Sequence, residues 1–185
     1  MIADILKDAE QKMKSAVDHT SEEFAAIRTG RAHPAMFNKL MVDYYGAPTP
    51  LQQLATFQVP EPRVVLISPF DRGAMAGIEK AVRDSDLGVN PANDGNVIRI
   101  VMPELTEERR KEYIKVARTK AEEGRISVRS NRRHAVDGLK KLEKDKEAGE
   151  DEVSRAEKQL ETITKKYSDE IDSLLKAKET ELLEI

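Results

Sequence analysis

The most distinctive residues of this sequence are arginines that recur at helical spacing within residues 106–146. They lie at seven-residue intervals, or at four-residue steps between them, which would place them along one flank of a helix. The set is Arg118, Arg125, Arg129, Arg132 and Arg133. No acidic residue lies between Arg125 and Arg133. Because a guanidinium is a planar fork that fits phosphate, this row predicts a phosphate-binding edge.

Charge segregation strengthens that interpretation, and an ordinary solvated, salt-bridged face stays open beside it as the alternative. Residues 106–146 hold fourteen Lys/Arg against eight Asp/Glu, whereas residues 147–185 hold six against twelve. The net charge of the whole chain is −3. That value does not argue against a nucleic-acid partner, because binding depends on local charge.

A long helix over residues 106–146 is predicted to position these arginines. Thr106 is a candidate N-cap, and Glu107 and Glu108 occupy the first turn, where negative charge is favourable. Apolar or small residues recur every three or four positions and form a stripe that should pack against partner helices. The stripe comprises Ile114, Ala117, Ala121, Gly124, Val128, Ala135, Gly138 and Leu142.

Two further helices are predicted at the ends of the chain, over residues 1–28 and 150–184. Each carries one apolar stripe and needs partners to bury it. Gly30 and Pro34 stop the first helix. The short turn at Ala148-Gly149 makes the last two helices antiparallel neighbours. We therefore expect an elongated antiparallel three-helix bundle.

The middle of the chain predicts a different kind of structure. All eight prolines lie within residues 31–105, and short β-branched runs replace the helical period. The expected elements are strands at Leu40–Tyr45, Ala55–Val59, Val64–Ile67 and Val97–Val101, a helix at Ala74–Arg83, and turns at Gly46–Pro48 and Asn93–Gly95. The fold class is thus α+β. Residues 1–29 plus 106–185 are expected to form the bundle, and residues 31–104 an inserted β/α/β domain.

Two crossings join the small domain to the bundle, at about residues 30–34 and 102–105. Two short crossings beside a separate core predict a hinge. The residues assigned to it are Gly30, Pro34, Pro103 and Leu105. Gly30 is expected at positive φ, where a residue with a Cβ is disfavoured.

Arg28 and Arg31 flank that glycine and have two interpretations. A cation at a helix C-terminus complements the helix dipole, and a cation beside the hinge could also face phosphate. Arg31 lies beyond the helix and fits the first interpretation less well. Few aromatic residues are present, and none alternates with the arginines, so folded RNA gripped by its backbone is favoured over stacked single strands.

Little in the sequence points to catalysis. His19, His33 and His134 share no metal-ligand spacing, and the chain has no cysteine. Phosphate-binding loops, dinucleotide-binding loops and nucleophile elbows have no match. We expect a protein that is not an enzyme and needs no cofactor or metal. No apolar run approaches ~18 residues, so a soluble cytoplasmic protein without a membrane partner is expected.

Several longer motifs are spread over every segment of the chain. They are Arg28-Thr29-Gly30-Arg31-Ala32, Asp43-Tyr44-Tyr45-Gly46-Ala47-Pro48-Thr49-Pro50-Leu51, Ser85-Asp86-Leu87-Gly88-Val89-Asn90-Pro91, Leu105-Thr106-Glu107-Glu108-Arg109-Arg110, Val128-Arg129 with Asn131-Arg132-Arg133, Lys144-Asp145-Lys146-Glu147 and Lys178-Glu179-x-Glu181-Leu182. Together they resemble the bacterial ribosome recycling factor family from one end of the chain to the other.

The resemblance implies an L-shaped molecule, roughly the outline of a tRNA, made of a three-helix bundle and a β/α/β domain. It implies a monomer that binds the 70S ribosome after termination, chiefly large-subunit rRNA near the peptidyl-transferase centre. With elongation factor G, which supplies the GTPase, the factor would split the subunits. The family's rRNA-contacting arginines correspond to Arg28, Arg31, Arg129 and Arg132, with Arg133 adjacent.

One alternative from another class stays open at this point. Long amphipathic helices with a hinge are also typical of a coiled-coil adaptor or a chaperone-like interaction protein. Such a protein would bind through a neutral or mixed face, by an apolar interaction that is insensitive to salt.

Overall fold

The computed structural model describes residues 1–184, which form four α-helices and six β-strands. The elements are α1 (Ile2–Ala25), β1 (Met41–Tyr44), β2 (Ala47–Pro50), β3 (Ala55–Glu61), β4 (Val64–Pro69), α2 (Met75–Arg83), β5 (Pro91–Asn93), β6 (Ile98–Val101), α3 (Glu107–Lys144) and α4 (Glu150–Leu183). This combination confirms the α+β class.

The chain divides into two compact units. One comprises Met1–Phe24 and Ile114–Glu179 and is called the helical unit. The other comprises Ala25–Tyr113 with the C-terminal residues from Thr180, and is called the sheet unit. The borders predicted at residues 29 and 106 lie inside the sheet unit.

The helical unit is built from parts of α1, α3 and α4. The first two are antiparallel, because Gly138 lies beside Ile5 near the start of α1 and Gly124 beside Thr20 near its end. The next two are also antiparallel, as the cross-helix ion pairs described below show. Their common core is apolar. Its fully buried large side chains include Met13, Leu139, Leu160 and Ile171.

Helix α3 begins and ends close to the predicted positions. The Thr106 hydroxyl oxygen accepts a hydrogen bond from the Arg109 backbone N–H at 3.1 Å, which confirms the N-cap. Regular helix ends at Lys144, and Lys146 takes a left-handed conformation with φ of 59°. The buried positions of the helix confirm most of the predicted stripe; they are Ala117, Ala121, Gly124, Val128, Ala135 and Leu139.

The sheet unit contains a four-stranded antiparallel sheet in the order β3-β4-β6-β5. Its central pairing sets Val65 opposite Ile100 and Ile67 opposite Ile98. All four of these side chains are buried. Helix α2 contributes Met75, Ile78 and Val82 to the same core. These alternate residues of β4 and β6 therefore face one apolar layer, as expected for a sheet covered on one side.

Strands β1 and β2 form a separate hairpin whose turn differs from the prediction. The predicted turn at Gly46–Pro48 is wrong, because the reversal occurs at Tyr45 and Gly46, with φ of 49° and 82°. Positive φ at both central residues is the geometry that matches the twist of a two-residue hairpin. Asp71 accepts a 2.7 Å hydrogen bond from the Tyr44 hydroxyl. That bond, followed by one from the Gly73 backbone, lowers the pKa of Asp71.

Two strands were absent from the prediction, and one helix ends earlier than predicted. Both missed strands, β2 and β5, contain proline, which cannot donate a ladder hydrogen bond. They are tolerated because β2 belongs to a two-stranded hairpin and β5 lies at the sheet edge. Helix α1 ends at Ala25 rather than near residue 28.

Candidate nucleic-acid interface

The arginines predicted on α3 lie in the helical unit, and three of them are paired with carboxylates. The five residues Arg118, Arg125, Arg129, Arg132 and Arg133 are called the arginine edge. Arg118 Nε lies 2.8 Å from Glu179 Oε1 on α4. Arg125 Nε lies 2.8 Å from Asp172 Oδ1, also on α4. These two pairs are bonds across the bundle.

Glu122 holds two members of the arginine edge at once. Its Oε1 lies 2.6 Å from Arg129 Nη2, and its Oε2 lies 3.0 Å from Arg125 Nη1. The hydrogen bond from Arg129, followed by that from Arg125, lowers the pKa of Glu122. The carboxylate therefore stays ionised at neutral pH and limits the directions in which both guanidinium groups can point.

Arg132 and Arg133 differ from the other three. Among residues 1–184 neither side chain makes an ion pair or a hydrogen bond. Arg133 is exposed and Arg132 is half-buried. Their charges are thus available to an external anion without the loss of an internal partner. The edge has a bonded part, up to Arg129, and an unbonded part that follows it.

Arg28 lies in the sheet unit and is buried there, with 5% of its surface exposed. Its Nη1 donates to the Leu87 carbonyl at 3.1 Å, and its Nη2 donates to the Pro103 carbonyl. Burial lowers the pKa of this guanidinium. The residue that resemblance assigns to rRNA is therefore engaged inside its own unit.

Arg31 is placed quite differently, although it is only three residues away. Its side chain is exposed and has no partner within residues 1–184. Its backbone N–H and carbonyl both bond the Thr29 hydroxyl, each at 3.3 Å. Arg31 is thus the accessible cation of the motif around Gly30.

Three of the four residues assigned to the hinge, Pro34, Pro103 and Leu105, have local contacts or are buried in the sheet unit. Positive φ at Gly30 is wrong, since the glycines with positive φ in residues 1–184 are Gly46, Gly88 and Gly95. Pro34 opens a 3₁₀ turn that His33 caps, its Nδ1 accepting from the Ala35 N–H at 3.0 Å. The Pro103 carbonyl accepts from Arg28, and Leu105 is buried. A hinge at these residues stays a prediction.

The carboxylates that hold the arginine edge were missed from the sequence. They are Glu122, Asp172 and Glu179. A signal for the two on α4 existed in the spacing. A step of seven from Arg118 to Arg125 is matched by a step of seven backward from Glu179 to Asp172, as antiparallel helices require.

Two further types of site are absent from the part of the chain that the structure describes. No group of three or more His, Cys, Asp or Glu side chains within it is placed to hold a metal ion. No helix there combines the length and the apolar character that crossing a membrane requires.

Comparison with known proteins agrees with this architecture. The sequence model of the family described as ribosome recycling factor matches residues 20–183. The chain belongs to the ribosome recycling factor family. It is 71% identical to the ribosome-recycling factor of Cutibacterium acnes over 184 residues, and 67% identical to that of Kineococcus radiotolerans over 185 residues. Each alignment covers 100% of both chains.

Solved structures of the ribosome recycling factor family are also similar. A solution structure of a ribosome recycling factor has 42% identity and a TM-score of 0.76, and the match covers 100% of this chain and 98% of that one. The T. thermophilus ribosome recycling factor, in models with E. coli elongation factor G bound to the E. coli post-termination complex, has 42% identity and a TM-score of 0.69. That match covers 100% of both chains.

Proposed function

We propose that this protein binds the post-termination ribosome and, with elongation factor G and GTP, splits it into subunits, which frees the mRNA for a new round. Membership of the ribosome recycling factor family supports this role. A structural neighbour of the same family is bound to a post-termination complex together with elongation factor G. In this proposal the chain acts in the cytoplasm as a monomer and is not itself an enzyme, because its partner hydrolyses the GTP.

The observation that carries the binding site is the unbonded pair Arg132 and Arg133 at the end of a bonded row. Residues 125 to 133 span ~12 Å of helix, the scale of a few RNA phosphates. Buried α3 positions such as Val128 and Ala135 fix the helix in the bundle core. We infer that the arginine edge binds large-subunit rRNA near the peptidyl-transferase centre, with Arg31 as an additional phosphate contact.

The bonded arginines take part in a different way from the unbonded pair. Arg129 would have to exchange its contact with Glu122 for a phosphate oxygen, which costs one interaction for each gained. Arg125 bonds Asp172 and Glu122 through different nitrogens. Its guanidinium is therefore held by two carboxylates, and we assign it a structural role in the arginine edge rather than a phosphate contact. Arg132 has no internal ion pair to break before it binds, and its planar guanidinium is suited to bidentate phosphate contact.

The test is the affinity for purified large subunits as a function of salt concentration. Arg132→Ala should weaken binding and reduce the magnitude of the log–log slope by roughly 0.7 to 0.9, the contribution of one phosphate contact. Arg132→Lys should keep the slope but still weaken binding, because lysine keeps the charge and loses the fork. Thermal melts should change little in either variant, because Arg132 makes no ion pair or hydrogen bond within residues 1–184 whose loss would destabilise the fold.

Arg155→Ala is the matched control for this test. Arg155 is an exposed arginine on α4 whose Nε bonds the Asp151 carbonyl at 3.4 Å, so its loss should leave affinity and slope unchanged. If Arg132→Ala leaves both the affinity and the salt slope unchanged, the assignment of Arg132 as a phosphate contact is wrong. Binding of the wild type that is insensitive to salt would favour the adaptor-like alternative over an RNA-binding factor.

A further inference from the structure

Arg28 joins three segments of the sheet unit that are far apart in sequence. It follows the end of α1, and its two terminal nitrogens donate to carbonyls 59 and 75 residues away. One carbonyl, of Leu87, is in the loop after α2. The other, of Pro103, is in the linker before α3. A single side chain thus ties the exit from α1, an internal loop and the entry to α3.

The loop is shaped to offer its carbonyl to this arginine. Gly88 follows Leu87 and has φ of 68°, a conformation that residues with a Cβ rarely adopt. A Cβ built on Gly88 would lie 4.0 Å from Arg28 Nη1, so the glycine backbone lies close to the guanidinium. The Tyr113 hydroxyl approaches the Asp86 carbonyl of the same loop at 3.5 Å.

Other hydrogen bonds hold the two linkers against the sheet. The Ala32 N–H donates to the Pro62 carbonyl, and the Met102 N–H donates to the Arg63 carbonyl, each at 2.7 Å. Arg63 Nε returns a bond to the Met102 carbonyl at 2.9 Å. The linkers at residues 30–34 and 102–105 are therefore each bonded to the Pro62–Arg63 turn, and Arg28 adds a direct bond from the end of α1 to the second linker.

Burying the charged guanidinium of Arg28 costs solvation free energy, so we expect the side chain to have a specific role there. Arg28 is desolvated, and Arg109 and Arg63 are close enough to disfavour its charge further, while Tyr113 favours it. Its Nε is buried without a hydrogen-bond partner. A buried charge of this kind persists where its bonds satisfy groups that would otherwise be unpaired. Here those groups are the Leu87 and Pro103 carbonyls.

We propose that Arg28 is a positioning residue that locks the two linkers and the Leu87 loop into one piece and does not contact RNA phosphate. Its contribution to ribosome splitting, a statement that rests on the function proposed above, is to keep residues 25–34 and 102–105 ordered while the factor is acted on. The accessible phosphate contact of this region is Arg31. The two neighbouring arginines thus have opposite roles.

Hydrogen exchange of the free protein tests the lock without any ribosome. In Arg28→Met and Arg28→Lys, the Ala32 and Met102 amides should exchange faster by about tenfold or more, the fold-change for losing a hydrogen bond to a charged group. A lysine ammonium keeps the charge but offers its donors from a single nitrogen, whereas Arg28 uses two separate nitrogens, so Arg28→Lys should be intermediate. Amides of Leu160 and Ile171 in the helical unit should keep their protection. Arg31→Ala should leave the Ala32 and Met102 amides unchanged.

The ribosome-binding measurement gives the second, independent readout. Arg28→Lys and Arg28→Met should keep the wild-type log–log salt slope for large-subunit binding while the splitting rate with elongation factor G falls. Arg31→Ala should show the reverse, with a slope reduced by roughly 0.7 to 0.9. The splitting rate should fall in the order wild type, Arg28→Lys, Arg28→Met, because lysine keeps the charge but not the two separate nitrogens of the guanidinium.

Two results would overturn the proposal. One is unaltered exchange at Ala32 and Met102 in a folded Arg28→Met. The other is a salt slope reduced by one phosphate contact in that variant. If Arg28→Met does not fold, Arg28→Lys decides between the same outcomes. A wild type that fails to split ribosomes would contradict the proposed function but not the lock, which the exchange measurement decides alone.

Discussion

Glu122 is a carboxylate within the arginine edge, and its negative charge offsets part of the positive charge of Arg125 and Arg129. It supplies the negative charge closest to Arg129 and shares Arg125 with Asp172. Its lowered pKa, caused first by Arg129 and then by Arg125, is the counterpart of that pairing. If the arginine edge binds RNA as proposed, Glu122 is an internal anion that competes with phosphate for the same guanidinium groups. Removing the Glu122 charge therefore tests whether this carboxylate competes with phosphate for the arginines or orients them for binding.

We expect Glu122→Gln to bind large subunits several-fold more tightly at low salt. The substitution frees Arg129 and adds one net positive charge to the edge, and the gain should fade as salt approaches 1 M, where the screening length is ~3 Å. Glu123→Gln is the matched control, because it makes the same charge change but its partner is Lys120, at 3.7 Å. Equal gains in both variants would show a general charge effect, and weaker binding of Glu122→Gln would show that Glu122 orients the edge.

At the residue scale, sequence spacing was informative where side chains point away from the core. The seven-residue and four-residue steps placed the arginine edge on one flank, because helix geometry alone decides that. Arg28 was different. Its burial depends on carbonyls 59 and 75 residues away, which no local pattern contains. The assignment of individual arginines to rRNA stays a prediction that the affinity measurements test.

At the scale of elements, the close packing of α1 against α3 at Gly124 leaves no room for a Cβ. A Cβ at Gly124 would overlap the Thr20 hydroxyl oxygen and lie 3.1 Å from Ile171 Cδ1. Thr20 is buried, and its hydroxyl donates to the Ala16 carbonyl at 2.9 Å, so it has little freedom to move away. The predicted stripe of small residues is thus a site of close helix packing.

Gly124→Ala should destabilise the protein by about 1–3 kcal/mol, because overlap outweighs the gain of about 1 kcal/mol in helix propensity. Gly138→Ala is the matched control on the same helix. Its Cβ would meet Ile5 Cδ1 at 3.4 Å, an ordinary contact, so this variant should be neutral or more stable. Urea melts measure both. If Gly124→Ala is as stable as Gly138→Ala, the packing of α1 on α3 adjusts freely to the added methyl group. If the overlap with Thr20 causes the loss, adding Thr20→Ala to Gly124→Ala should restore much of the stability.

Element prediction worked where the period of apolar residues was long and failed where proline intervened. The three long helices and four strands follow from their stripes, which repeat enough to outweigh local ambiguity. Strands β2 and β5 contain prolines, and a central strand would not tolerate them. Their edge positions make them possible, but a sheet's edges are known only after its strand order is known. The early end of α1 is followed by Ile27 and Arg28, which are buried in the sheet unit, and such distant contacts are not visible in a local pattern.

At the scale of the whole molecule, the compact units suggest where the chain can be divided. Residues 25–29 and 106–113 belong to the sheet unit. Within that unit Ile27 and Arg28 are buried, and the Tyr113 hydroxyl donates to the Asp86 carbonyl at 3.5 Å. A division at residues 29 and 106 would therefore remove these segments from their partners, whereas one after residue 24 and before residue 114 would not.

A shortened chain that joins residues 1–24 to 114–179 through a Gly/Ser linker should be helical and melt in one cooperative transition. The longer version, residues 1–29 joined to 106–185, should also be helical but exchange amide hydrogens rapidly in its added segments, because their apolar side chains lose the sheet. Circular dichroism melts and hydrogen exchange measure the two properties. A molten product from the shorter join would contradict an independent helical unit. Equal protection along the longer one would favour the borders at 29 and 106.

The uneven distribution of charge in the helical unit acts before any contact is made. Residues 114–146 carry eleven Lys/Arg against five Asp/Glu, while residues 147–179 carry six against ten. Residues 1–24 add three Lys against six Asp/Glu. A body with its positive charge on one helix and its negative charge on the other two has a transverse electric moment. The field of a polyanion exerts a torque on such a body and raises the fraction of collisions that begin with α3 leading.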